Sequence, residues 1–307
     1  MNRNWIVLTL LILVVIFSGC VDQPDGGNLD YKDEALKMDT KIPDKSLPSQ
    51  PVNMKVVLTN QVQNDINNIS LRITDFYGLT LKDQTCSDGD PLSNCGFISN
   101  NCGCHFDNIK SMDDREINFV FMIPDDNKLA RIGRDLKPEF TLNYDYWGEN
   151  IFYIPILNYR ERSTNAKIST TQTKGPIQVQ IERGISQSSD QWEMANVAFP
   201  IIVWVKDKIN PASKRTISKD RFNMTLINLN ADQSGGRCDF NIKTIDDKQV
   251  LSPTENIELP MKVPLLCTLV GSVPSEVPSV SGMVVTDYDY NYTVVETKTI
   301  TVETVIS

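Results

Sequence analysis

Short runs of β-favouring residues, each closed off by turn formers, dictate what this chain of 307 residues can fold into. Val, Ile, Thr and Tyr cluster in stretches separated by Asn, Asp, Gly, Pro and Ser, and amphipathic helical stretches are scarce, which reads as all-β. The runs also repeat. An extended alternating segment, Val52–Gln61, has a counterpart in Ala198–Lys206. Asn68-Ile69-Ser70-Leu71 is followed 155 residues later by Asn223-Met224-Thr225-Leu226. Apolar runs come next, Ile117–Pro124 and then Ile257–Leu266, and each copy closes on a tyrosine strand, Tyr144-Asp145-Tyr146 and Tyr288-Asp289-Tyr290. The tyrosine signatures are 144 residues apart, so the first copy is longer by 11 residues, where the segment Cys86–Cys104 lies. Matched landmarks in one order predict a tandem duplication of two-sheet sandwiches, over residues 51–160 and 175–307 with a linker at 161–174. A propeller or solenoid needs more and shorter repeats.

The first twenty residues carry a different message. Met1-Asn2-Arg3 leads into the apolar run Trp5–Phe17 and ends at Ser18-Gly19-Cys20. A run of thirteen residues, apolar but for Thr9, falls short of the roughly 20 that span a bilayer as a helix, so residues 1–19 read as a signal peptide rather than a permanent anchor. Removing them takes away the single charge of Arg3, and a formal −9 becomes −10. Such an acidic surface argues against nucleic acid and anionic headgroups as partners. Residues 20–50 are polar and punctuated by Pro and Gly, and read as a flexible tether with at most a short helix near Asp33–Met38.

Six cysteines remain beyond Cys20, and in an exported chain an even number is expected to pair. Cys86, Cys95, Cys102 and Cys104 crowd into one polar insertion, 86–104, with three possible connectivities, and Cys238 and Cys267 are expected to bridge two strands. Zinc is the competing reading of the first cluster. The spacing is unsuited to it, because only Cys102 and Cys104 are close and they flank a single Gly. His105 is the only histidine, which excludes a two-histidine metal site and reads as an exposed loop residue. Acidic pairs such as Asp113-Asp114 and Asp125-Asp126 suit turns, and no calcium-loop motif is present. No cofactor, metal or catalytic group is expected.

Asn68, Asn223 and Asn291 each begin an Asn-x-Ser/Thr sequon and are candidate glycosylation sites. On the strand Leu142–Trp147, Leu142, Tyr144 and Tyr146 share one face, and Asn143, Asp145 and Trp147 the other. The tyrosines are expected to pack inside their sandwich with hydroxyls at its wet edge; a sugar platform at Trp147 is the functional alternative. Thr293–Ser307 reads as the last strand of the second domain, or as a strand donated to a neighbouring subunit.

Phe17-Ser18-Gly19-Cys20 resembles the lipobox of bacterial and archaeal lipoproteins, which implies cleavage before Cys20 and a lipid on its sulfur. Val57-Leu58-Thr59-Asn60, the strand Asn68–Ile73 and the late tyrosine strand together resemble the immunoglobulin-like modules of archaeal cell-surface proteins. The resemblance implies two immunoglobulin-like β-sandwiches anchored at the outer face of the cell membrane. The role it implies is non-catalytic: adhesion, envelope organisation or assembly with other surface proteins. A pilus or filament subunit self-associating through its final strand, and a carbohydrate- or solute-binding module or hydrolase, are the alternatives.

Overall fold

The computed structural model describes residues 34–75, 79–81, 94–98, 101–161, 167–184, 192–212, 214–232 and 236–304. The signal segment, Cys20 and Cys86 lie outside them. The described residues are almost all β. The first half holds β1 (Leu36–Lys41), β2 (Lys45–Ser46), β3 (Pro51–Asn60), β4 (Ile66–Asp75), β5 (Thr80–Leu81), β6 (Asn94–Ile98), β7 (Asn101–Ile109), β8 (Asp114–Met122), β9 (Asp135–Leu136) and β10 (Glu139–Leu157). The second holds β11 (Ser169–Gln172), β12 (Ile177–Arg183), β13 (Glu193–Met194), β14 (Ala198–Asp207), β15 (Arg215–Ile217), β16 (Phe222–Ile227), β17 (Leu229–Ala231), β18 (Phe240–Ile245), β19 (Lys248–Pro253), β20 (Ile257–Leu259), β21 (Leu265–Gly271), β22 (Ser279–Thr297) and β23 (Ile300–Val302). One short helix, α1 (Asp126–Ile132), is capped by the Asp125 carboxylate, which accepts from the Lys128 amide at 2.8 Å. It ends at Gly133, whose φ of 93° suits a residue without Cβ.

Period-two alternation places the core. Val52, Met54, Val56 and Leu58 of β3, and Phe199, Ile201, Val203 and Val205 of β14, point inward and are buried, as the pleat requires of a half-buried strand. In the first half one sheet runs β1-β3-β8-β5 and the other contains β10-β4-β7-β6; in the second half the same positions are taken by β12-β14-β21-β17 and β22-β16-β19-β18. The strand orders are identical. The first sheet of each half follows the A-B-E-D order of an immunoglobulin sandwich, with β4 and β10, or β16 and β22, where strands C and F belong. The place beside F that a G strand would fill is taken by the F strand of the other half. β10 and β22 pair antiparallel over all nineteen residues, from Glu139↔Thr297 to Leu157↔Ser279, and fuse the two inner sheets into one of ten strands.

The exchange is reciprocal at the strand ends. The end of β10 pairs in parallel with β13 (Ile156↔Glu193), and β23, just beyond β22, pairs in parallel with β2 (Lys45↔Thr301) and antiparallel with β9 (Ile300↔Leu136). All described elements fall within one compact unit, Asp33–Ser307.

Several sequence expectations change accordingly. The tether read through residue 50 stops earlier: Leu36–Lys41 is a strand paired with β3, because Leu36 and Met38 bury their side chains beside it, so Leu36–Met38, within the stretch read as at most a short helix, is extended. The linker 161–174 contains β11, which pairs with β10. The apolar run Ile257–Leu266 is divided between β20 and β21, and β21 is the counterpart of β8. The cysteine-rich segment ends in the β6–β7 pair, which corresponds to β18–β19 in the second half, so this part is common to both halves rather than inserted. The C-terminal strand, expected to close its own domain, is seated in the first half.

Candidate functional site

The tyrosine signatures meet where β10 and β22 cross. Tyr144 stands opposite Tyr292, Tyr146 opposite Tyr290 and Gly148 opposite Tyr288. Inward-facing residues of two long strands thus form one buried cluster, with ring centroids 5.7 Å apart for Tyr144–Tyr292 and 5.5 Å for Tyr146–Tyr290. Such aromatic pairs add ~0.5–1.5 kcal/mol each beyond the area they bury. Two glycines make room: a Cβ on Gly148 would lie 2.5 Å from the Tyr288 ring, and one on Gly175 would lie 2.0 Å from the Tyr146 hydroxyl. The Tyr146 hydroxyl donates to the Lys174 carbonyl, Tyr288 donates to that of Ile177 at 3.2 Å, and Tyr292 donates to the Asp207 carboxylate at 3.3 Å. Burial pushes the Tyr146 hydroxyl up to about 12 and raises those of Tyr144, Tyr288, Tyr290 and Tyr292 as well. The structural role expected for the tyrosines holds, but they pack across the two halves rather than within each, and the Tyr144 and Tyr290 hydroxyls are buried in the interior rather than set at a wet edge.

Two largely buried ion pairs lie in the second half, one of them against the cluster. Asp207, at the end of β14, accepts from the Ile209 and Asn210 amides and meets Arg215 at 3.1 Å, whose guanidinium lies 3.9 Å from the centroid of the Tyr292 ring. Asn60, at the end of β3, holds the corresponding turn through its side-chain amide, which donates to the Asn64, Ile109 and Lys110 carbonyls. Arg183 meets Glu193 at 3.1 Å, and burial, the larger influence, still raises the Glu193 carboxyl.

The outer face of the same crossing is polar. Asn68, in the left-handed region at φ 51°, sits at a bulge of β4 opposite β10. Its side-chain amide donates to Asp145 Oδ2 at 3.0 Å, and Asn291 of β22 donates to Asp145 Oδ1 at 3.0 Å. Two sequon asparagines distant in sequence therefore share one carboxylate. Asn223 lies on the same outer face, opposite Asp287, and accepts from Ser252 Oγ at 2.7 Å. Glu149 stands directly across from Asp287, whose carboxyl is raised by burial and then by that neighbouring charge. Trp147, 45% exposed, stands across from Asp289, which meets Arg221 at 3.6 Å. Trp147 also lines a cleft of about 260 Å³, together with Tyr146, Gln61–Asn64, Met112 and Gln172–Lys174.

Cys95–Cys104 joins β6 to β7 and Cys238–Cys267 ties the segment before β18 to β21. Cys102 is also disulfide-bonded, and Cys86 lies outside the described residues. His105 lies on β7 rather than in a loop, half-buried, with Nε2 3.7 Å from Asp107 Oδ1. Among the described residues no group of three or more His, Cys, Asp or Glu side chains is arranged to hold a metal ion, and no helix is long and apolar enough to cross a membrane. The convergence of Asn68, Asp145 and Asn291 was not legible in the sequence. The nearest signal was the alternation over Glu139–Ile154 and Ser281–Thr293, far longer than the usual five or six residues.

No family model matches the chain, and no curated protein matches it in sequence. Among solved structures, the major pilin SpaD from Corynebacterium diphtheriae overlaps 75% of this chain and 51% of its own, with 8% identity and a TM-score of 0.26. The sporulation control protein Spo0M from Bacillus subtilis overlaps 57% and 68%, with 11% identity and a TM-score of 0.20. A GH20 exo-β-N-acetylglucosaminidase from Vibrio harveyi overlaps 79% and 40%, with 8% identity and a TM-score of 0.22. The chain spans about half the pilin's length, and at these TM-scores none of the three overlaps carries an argument about fold or activity.

Proposed function

We propose that this is a non-catalytic extracellular protein, anchored by a lipid on Cys20, that presents a two-sandwich body for adhesion, envelope organisation or assembly with other surface proteins. The observation that carries the reading is the disulfide set: Cys95–Cys104 and Cys238–Cys267 are bonded, as is Cys102, which suits an oxidising compartment and agrees with the signal-like start. β1 begins at Leu36, so fifteen residues separate it from Cys20, and the chain between them reaches at most ~50 Å. On this reading the body works close to the membrane rather than on a long stalk, with glycans at Asn68, Asn223 or Asn291 on the outer face of the ten-stranded sheet. The test is the intact mass of the mature protein from its native membrane, with and without Cys20→Ser. A mass beginning at Cys20 plus a lipid, lost in the variant, is the expected result; a mass retaining residues 1–19 overturns the anchor.

A second reading, saccharide binding, is favoured by one feature, the exposed Trp147 among the residues lining a cleft that also include Gln61, Gln63, Asn64 and Gln172. Glycan binding that disappears in Trp147→Ala would move it to first place. The filament reading gains nothing from the C-terminal strand, because β23 is paired on both sides within its own chain.

A further inference from the structure

We propose that Asn68 and Asn291 form a single glycosylation locus that carries one glycan, on either asparagine but never on both. The proposal rests on the reading of this chain as an exported glycoprotein and deepens it. The two asparagines lie on strands separated by β10 alone, and both side-chain amides converge on the two oxygens of Asp145, at 3.0 Å each. The acceptor nitrogens are therefore no more than ~8 Å apart, two hydrogen-bond lengths and the width of a carboxylate, which is less than two strand spacings. Both residues are exposed; Asn291–Thr293 pairs with β10, and Asn68 projects from the bulge of β4, whose following residues Ile69 and Ser70 pair with β7.

Glycan transfer consumes one hydrogen of the acceptor amide. The nitrogen bonds to the anomeric carbon of a lipid-phosphate-linked oligosaccharide, the carbon–oxygen bond to phosphate breaks with its electron pair leaving on the phosphate, and the displaced amide proton is taken up by base. The modified nitrogen keeps one N–H, enough to hold Asp145. The first sugar then stands over the carboxylate and covers the neighbouring amide, so a second transfer has neither room for the donor nor access to the nitrogen. Asn223 is remote from this pair: its side-chain oxygen is engaged by Ser252 and its strand neighbour is Asp287, so its occupancy is independent.

The experiment is intact-mass analysis of the full chain, purified from its native host, in an Asn223→Gln background so that only the locus is counted. The expected result is at most one glycan per molecule. With Asn68→Gln added, one glycan remains at Asn291, and with Asn291→Gln added instead, one remains at Asn68. Molecules carrying two glycans overturn the shared locus and leave the glycoprotein reading standing. Absence of any glycan in all three variants and in the unaltered chain overturns both, and a glycan confined to one asparagine whichever variant is used overturns the exchange between them.

Discussion

Gly148 stands opposite Tyr288 at the crossing, and a single added methyl has nowhere to go, since it would lie 2.5 Å from the ring. Gly148→Ala is expected to destabilise the protein by ~1–3 kcal/mol, the usual cost of overpacking a filled interior, read as a lower urea midpoint. Arg183→Ala strands the buried Glu193 carboxylate without its partner and should cost ~3–5 kcal/mol in the same measurement. The tyrosine hydroxyls give a pH signature. Their folded-state values lie above the ordinary 10, with Tyr146 at about 12, so the unfolded chain loses these protons first as pH rises. Their contribution is complete below pH 10 and is lost as pH climbs through 10 toward 12 and beyond. Urea midpoints should hold steady below that window and fall above it, and tyrosinate absorbance should rise later in the native protein than in urea; coincident titrations in the two states would refute the burial argument.

At the scale of elements, two kinds of connection hold the halves. β23 buries Ile300 and Val302 completely while pairing with β2 and β9. Ile300→Ala is expected to cost ~2–5 kcal/mol, a core-cavity value rather than that of a fraying tail. The disulfides act on the unfolded chain. Cys238–Cys267 closes a separation of 29 residues and Cys95–Cys104 one of 9, so loop-closure entropy assigns about 3.5 and about 2.5 kcal/mol respectively. Paired Cys→Ser variants measured by urea unfolding should fall in that order. The cysteine pairs were foreseeable as a set from their even number and the signal-like start of the chain. Cys238–Cys267 was expected as a pair and forms one; which cysteines join within the first cluster was not foreseeable, because the partner is selected by strand register, here Cys95↔Cys104.

At the scale of the molecule, the shared sheet makes the two sandwiches one folding body. β10 and β22 each serve their own half along one stretch and the opposite half along the rest, so neither half completes its inner sheet alone. Calorimetry should therefore show a single transition for the region from Leu36 to Val302. Two resolved transitions would mean that the sandwiches fold separately and that the crossing is only a contact.

The sequence by itself determined the strand content, the inward and outward faces and the twofold recurrence of landmarks. These are local properties: alternation with period two and turn residues at strand ends act over a few positions, as in Val52–Leu58 or Leu142–Tyr146. It also marked Tyr144, Tyr146, Tyr288 and Tyr290 as scaffold and Asn68 and Asn291 as sequons, each without its partner. Only the tertiary structure decided that the tyrosine strands zip to one another, that β1 belongs to the body rather than to a tether, that β23 crosses to the first half, and that both sequons share Asp145. An edge strand's backbone groups accept any partner of suitable length. The choice among partners is made by side chains more than a hundred residues apart, fitting in one interior where Gly148 leaves the space that Tyr288 fills.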